Sequence, residues 1–186
     1  MTATVIAAIL AYAATNVDDL FINMLFFAQA DTHQKTILVV LGKYLGIGAL
    51  FLLSLAGAWF AHALPYGALR LLGIVPIAMG IKATLSRDED ADDSDQPSFS
   101  GMFALNTALV TIANGADNLG VYIPLLAGYG AVQVIVTAAV FALMTAVWCL
   151  VSWRLADLPL LRSVLTRYRR VAVPAVLIAL GVYILL

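Results

Sequence analysis

The sequence has few charged residues and almost no cysteine. Asp, Glu, Lys and Arg make up 11% of its 186 residues, whereas apolar residues make up 63%. Soluble domains contain about 25% charged and about 45–50% apolar residues, so this composition excludes a soluble globular domain and indicates an integral membrane protein. The single cysteine, Cys149, excludes an internal disulfide, a CxxC redox pair and an all-thiolate metal site.

Several functional motifs are also missing. The sequence contains no Walker motif, so the chain cannot hydrolyse ATP itself, and transport by it would need an ion gradient or a partner. One cysteine and the lack of a catalytic histidine pair argue against a membrane-embedded enzyme. We therefore expect no enzymatic activity, no cofactor and no nucleic-acid partner. No Lys or Arg precedes Lys35, so the first apolar segment is expected to be a permanent span.

Long apolar stretches predict six transmembrane helices, because about 20 residues cross a bilayer and helices satisfy their own backbone in lipid. The ten-residue alternating segments of a membrane barrel do not occur. The predicted spans are Thr4–Ala30, Ile37–Ala63, Leu69–Leu85, Met102–Leu126, Val132–Trp153 and Val171–Leu186.

Basic residues lie mainly on one side of the predicted membrane. The connections after the first, third and fifth spans contain Lys35, an acidic stretch at 87–97 and an arginine-rich stretch at 154–170. The connections after the second and fourth spans, 62–67 and 128–130, contain no Lys or Arg. Because an excess of Lys and Arg marks the cytoplasmic side, we predict cytoplasmic acidic and arginine-rich loops and two extracytoplasmic termini.

A polar linker divides the chain into two halves. Residues 87–99 are acidic and of low complexity, and we interpret them as a solvated cytoplasmic joint between three-helix units at 1–86 and 100–186. A cation-gathering loop is the alternative. The two units resemble each other when Asp18 is aligned with Asp117, and a unit of three spans must recur inverted. The predicted fold is therefore an all-α integral membrane protein whose six transmembrane helices form two inverted three-helix repeats.

Acidic and amide side chains interrupt one apolar segment in each half. Residues 14–23 read ATNVDDLFIN, and residues 113–119 read ANGADNL. A charged group at the bilayer centre costs about 2.5–3.5 kcal/mol on insertion scales, so three acids exceed what helix packing requires. Interruptions at corresponding positions of two halves indicate the binding site of a transporter near the midplane. The candidate metal ligands are Asp18, Asp19, Asp117, Asn114 and Asn118.

The polar residues of these segments form one stripe on each predicted helix. The stripes comprise Tyr12, Thr15, Asn16, Asp19 and Asn23 in the first and Thr107, Thr111, Asn114, Asn118 and Tyr122 in the second. Asp18 and Asp117 each lie about 100° from their stripe. Either each acid faces a different neighbour, or the helix is locally unwound so that both acids converge. Gly115 would permit such unwinding in the second segment. The residues assigned supporting or gating roles, with interhelical hydrogen bonding as the alternative, are Thr15, Asn16, Asn23, Lys43, Thr111 and Tyr122.

Lys43 is the evident intramembrane cation. Its side chain could reach Asp18 or Asp19, which lie about 7 Å away along the helix axis at 1.5 Å per residue. Such a pair could be structural, or it could be a switch in which an arriving cation displaces the ammonium. Gly42 and Gly46 flank Lys43 and would let another helix approach closely, which we expect within the chain; a homo-oligomer is left open.

The donor set indicates a cationic substrate. Carboxylate, amide and hydroxyl oxygens suit Mg²⁺, Ca²⁺ and Mn²⁺, whereas thiolates suit softer metals. Cys149 is interpreted as a packing residue, with a ligand role as the alternative. The expected partners are a divalent metal cation, which is the transported substrate, and the lipid bilayer.

Three motifs carry a resemblance to a known family. Residues 15–20 (TNVDDL), 42–46 (GKYLG) and above all 113–124 (ANGADNLGVYIP) resemble the CadD-type cadmium-resistance transporters of the LysE superfamily. That resemblance implies a six-span plasma-membrane exporter of Cd²⁺ and other divalent cations such as Mn²⁺, Zn²⁺ or Mg²⁺, with Asp18, Asp19 and Asp117 as its motif acids. An exporter of small organic cations or basic amino acids, as elsewhere in the superfamily, remains the alternative.

Overall fold

The computed structural model describes residues 1–61, 71–72, 74–85, 103–156 and 175–185. The helices in these residues are α1 Thr2–Thr15, α2 Val17–Gln29, α3 His33–Ala61, α4 Ile74–Leu85, α5 Phe103–Asn114, α6 Ala116–Ala127, α7 Ala131–Leu155 and α8 Ala175–Leu185. The all-helical class predicted from the sequence is confirmed for this part of the chain. The linker at 87–99 and most of the arginine-rich stretch lie outside the described residues.

Two of the predicted spans are broken helices. The first span is interrupted at Asn16, where α1 and α2 meet at an angle of 61°. The fourth is interrupted at Gly115, where α5 ends and α6 begins. The alignment of Asp18 with Asp117 makes Asn16 and Gly115 equivalent positions. The interruption of the helix, which the sequence left open as one alternative, therefore occurs in both segments. The convergence of the two acids stays a prediction.

Only some of the helices are long enough to cross a membrane. Among the described residues, α3 and α7 are long and apolar enough to do so alone, and α1 with α2 would form a third, bent span. Helices α5 and α8 are apolar but shorter. Large apolar side chains on α3 and α7 point outwards, as lipid-facing residues do; examples are Leu45, Leu52, Trp59, Ile135 and Leu143. Six spans arranged as inverted repeats stay a prediction.

Glycines let α3 and α5 approach each other closely. A Cβ atom placed on Gly42 would lie 2.7 Å from Cβ of Thr107, and one on Gly46 would lie 2.6 Å from Cβ of Thr111. Ordinary contacts between such atoms begin at 3.4 Å, so a larger residue would push the helices apart. The close approach expected at the glycines flanking Lys43 thus occurs within the chain.

An aromatic cluster joins α7 to the two broken spans. The ring of Phe141 lies 5.4 Å from that of Tyr12 and 4.6 Å from that of Tyr122, measured between centroids. Trp148 lies 5.4 Å from Tyr12 in an edge-to-face arrangement, which is favourable for aromatic pairs. This packing holds α1 and α6 against α7.

Candidate functional site

Hydrogen bonds from other helices stabilise the break between α1 and α2. The amide Nδ2 of Asn16 donates to the hydroxyl of Tyr122 at 2.8 Å and to the backbone oxygen of Tyr12 at 3.0 Å. The hydroxyl of Thr15 lies 2.9 Å from that of Tyr122. Nε1 of Trp148 donates to the backbone oxygen of Asn16 at 2.7 Å. Because an interrupted helix leaves backbone groups without partners, these bonds explain how the break is tolerated in an apolar interior.

Lys43 forms a buried ion pair with Asp19. Its Nζ donates to Oδ2 of Asp19, and Nδ2 of Asn114 donates to Oδ1 of the same carboxylate at 3.1 Å. The side chain of Lys43 is 0% exposed and that of Asp19 is 3% exposed. The sequence allowed a pair with either Asp18 or Asp19, and the structure selects Asp19. Helices α2, α3 and α5 therefore meet at one carboxylate.

Asp18 and Asp117 have more open surroundings. Each is the second residue of the helix that follows a break, Asp18 in α2 and Asp117 in α6. Asp18 is half-buried and Asp117 is exposed, and the two carboxylates are close enough to interact electrostatically. Oδ1 of Asp117 also accepts a hydrogen bond from the backbone N–H of Asn118 at 3.0 Å. The two acids that lie off the polar stripes thus influence each other electrostatically across the two broken spans.

Buried amides beside these acids have polar atoms without a hydrogen-bond partner among the described residues. They are Oδ1 of Asn16, Nδ2 of Asn23, and both Oδ1 and Nδ2 of Asn118. Asn118 is 1% exposed, and it lies one helical turn before Tyr122 on the same face of α6. Tyr122 binds Asn16 at the α1–α2 break, so Asn118 lies on the face of α6 that is directed towards this break. Buried polar groups are normally hydrogen-bonded, so this amide calls for a specific explanation.

The predicted site residues are brought together only in part. The two polar stripes are buried except for Asn114, which is half-buried, and they are in contact through the Asn16–Tyr122 and Asp19–Asn114 hydrogen bonds. The three acids do not form one cluster: among the described residues no group of three His, Cys, Asp or Glu side chains is arranged to hold a metal ion. Asp19 is held by Lys43, and a role for it as a ligand stays a prediction. Thr111 packs on Gly46, and Cys149 is buried.

Sequence reasoning missed the contribution of α7. Thr145 bonds the hydroxyl of Tyr12 at 3.0 Å, and Trp148 bonds the backbone at the first break. The buried residues of α7 are Thr137, Phe141, Thr145, Cys149 and Ser152. Their spacing of three or four residues is that of one helix face, so the periodicity of polar residues in the fifth span would have indicated this surface.

The model of one protein family matches residues 12–186, nearly the whole chain, and its description is cadmium resistance transporter. The chain belongs to this family. Membership of the cadmium resistance transporter family confirms the resemblance carried by the three motifs, and it supports metal-ion transport and location in a membrane. A transporter family also agrees with the expectation that the chain is not an enzyme. No curated protein and no solved structure matches the chain.

Proposed function

We propose that the protein exports divalent metal cations and binds them between the two helix breaks near the middle of the membrane. Asp18 and Asp117 supply the carboxylate ligands, and Asn118 supplies an amide oxygen. The observation that carries the proposal is the amide of Asn118, which is buried, lacks a partner among the described residues and directly follows Asp117 in the chain. A cation bound there would be a partner for Oδ1 of this amide and would offset the repulsion between the two carboxylates.

The chemistry of these donors supports a hard or flexible divalent cation. Such ions are bound by carboxylate and amide oxygens, and water molecules can supply the ligands that the side chains of the two helices do not. Helices interrupted within a membrane commonly form the substrate sites of secondary transporters, because their exposed ends and side chains face the translocation path. Since the chain contains no Walker motif, export would use an ion gradient or a partner.

The test is export by Asp18→Asn and Asp117→Asn variants in proteoliposomes. The panel should contain Cd²⁺, Mn²⁺, Zn²⁺ and Mg²⁺, with lysine as the probe for basic amino acids. Each variant should lose most metal transport, and the double variant should be little worse than either single one, because residues that act on one ligand are not additive. Both variants should insert normally, since asparagine removes a charge that is costly in lipid.

Asp31→Asn is the matched control. Asp31 is an exposed acid that pairs with Lys35 at 2.7 Å outside the proposed site, so its replacement should leave transport unchanged. Metal transport at the parent rate by both Asp18→Asn and Asp117→Asn would refute the proposal. Transport of lysine without any metal in the panel would refute the substrate class and favour an exporter of basic amino acids.

A further inference from the structure

The ion pair of Lys43 and Asp19 lies beside the proposed metal site, and its charge affects any cation bound there. We infer that Lys43 remains on Asp19 when a cation is bound and is thereby a residue that determines which ionic charge the site accepts. This inference rests on the proposed function. It differs from a switch, in which the cation would displace the ammonium and take its place on Asp19.

The surroundings of the pair favour a permanent contact. Both oxygens of Asp19 already accept hydrogen bonds, one from Lys43 and one from Asn114. The close packing of Gly42 and Gly46 on α5 keeps water and other partners away from the lysine stem, which is fully buried. Displacement of the ammonium would leave a buried cation without its carboxylate, which is strongly unfavourable. By contrast, Asp18 and Asp117 can be approached without breaking this pair.

The pair therefore contributes no net charge, and Asp19 does not add to the attraction of a cation. If the negative charge of Asp19 were removed at a pH low enough to keep Lys43 protonated, the site would gain one unit of positive charge. The resulting repulsion is proportional to the charge of the bound ion. The affinity for a trivalent ion should consequently fall more than the affinity for a divalent one. A general loss of packing would not produce this difference.

The first variant is Asp19→Asn, assayed by binding of Cd²⁺ and Tb³⁺ to the purified protein with titration calorimetry. We expect Cd²⁺ affinity to fall at least about tenfold, given one added charge in a medium of low effective dielectric. If the Cd²⁺ loss is about tenfold, the Tb³⁺ loss should be about thirtyfold, because Coulomb energies for the two ions stand in the ratio of their charges. Equal losses for the two ions would overturn the inference and leave a packing effect.

The second variant is Asp19→Asn with Lys43→Gln, which removes both charges of the pair. Its Cd²⁺ affinity and its ratio of Cd²⁺ to Tb³⁺ affinity should return towards the parent values, although one more residue has been changed. Failure to recover would overturn the inference, because it would mean that Asp19 acts on the cation directly. If Asp19→Asn alone does not fold, the Cd²⁺ and Tb³⁺ affinities of the double variant are compared directly with those of the parent. Affinities close to the parent values support the inference, and a large loss overturns it.

The same measurements separate this inference from the proposed function. The proposed site is wrong if the parent protein binds neither ion. It is also wrong if the Asp18→Asn and Asp117→Asn variants still bind both ions. A different result would reject only the role of Lys43. In that case metal binding requires Asp18 and Asp117, but the Asp19→Asn, Lys43→Gln double variant does not recover the Cd²⁺ affinity of the parent.

Discussion

The contact of Gly46 with α5 offers a sharp test of how packing positions the candidate site. Gly46 lies one turn after Lys43 on α3, and it packs on Thr111, which lies one turn before the α5–α6 break. Replacing Gly46 by alanine adds a single methyl group at this contact. Gly48 is the matched control, because it belongs to the same helix and a Cβ atom there would meet nothing within 4 Å.

The expected cost follows from the geometry. The new methyl carbon would lie 2.6 Å from Cβ of Thr111 and 2.7 Å from its Cγ2, whereas ordinary contact begins at 3.4 Å. Helix α5 would have to move by about 1 Å, and overpacking of this kind costs about 1–3 kcal/mol. For a chain of this size the melting temperature should fall by roughly 2 to 12 °C. Gly48→Ala should be neutral or slightly stabilising, since alanine favours helix by about 1 kcal/mol over glycine.

The assay is thermal unfolding of both purified variants in detergent, followed by Cd²⁺ binding at a temperature where both are folded. The shift of α5 would carry Asn114, its last residue, away from Asp19. It would also move the adjoining start of α6, and with it Asp117 and Asn118, relative to Asp18. Gly46→Ala should therefore bind Cd²⁺ more weakly than the parent, while Gly48→Ala should bind it normally. Equal melting temperatures for the two variants would refute the argument, because they would show that α3 and α5 do not depend on this contact.

Two further predictions concern the network at the first break and the orientation of the chain. Tyr122→Phe removes hydrogen bonds to Thr15 and Asn16 and should lower the stability measured by thermal unfolding by about 1–2 kcal/mol. The control is Tyr44→Phe, which removes one exposed hydrogen bond to a backbone oxygen and should lower the stability less. No difference between these variants would contradict the importance of the break. Ser94→Cys in a Cys149→Ala background should resist an impermeant thiol reagent in intact cells, because the acidic linker is predicted to be cytoplasmic, and ready labelling would show the topology to be wrong.

The candidate site could be predicted from the sequence at the level of residues but not of contacts. The acids, the amides and Lys43 stand out because charged and amide groups are costly in an apolar helix. The periodicity of the helix then assigns Asp19 to the buried stripe and Asp18 to another face. Reach along the helix axis did not decide which acid Lys43 contacts, since both were near enough. That choice depends on the rotation and separation of α2 and α3.

Composition and local periodicity determined what holds for each segment by itself: residence in a membrane, helical structure and the polar stripes. These properties follow from residues within one or two turns of each other, so the sequence contains them directly. The tertiary structure decided what depends on several helices at once. The bend of 61° at Asn16, the close contact of α3 with α5 and the enclosure of Asn118 all arise from packing between residues distant in the chain. That packing joins Lys43 to Asp19 and brings Asp18 close enough to Asp117 for the two carboxylates to interact electrostatically.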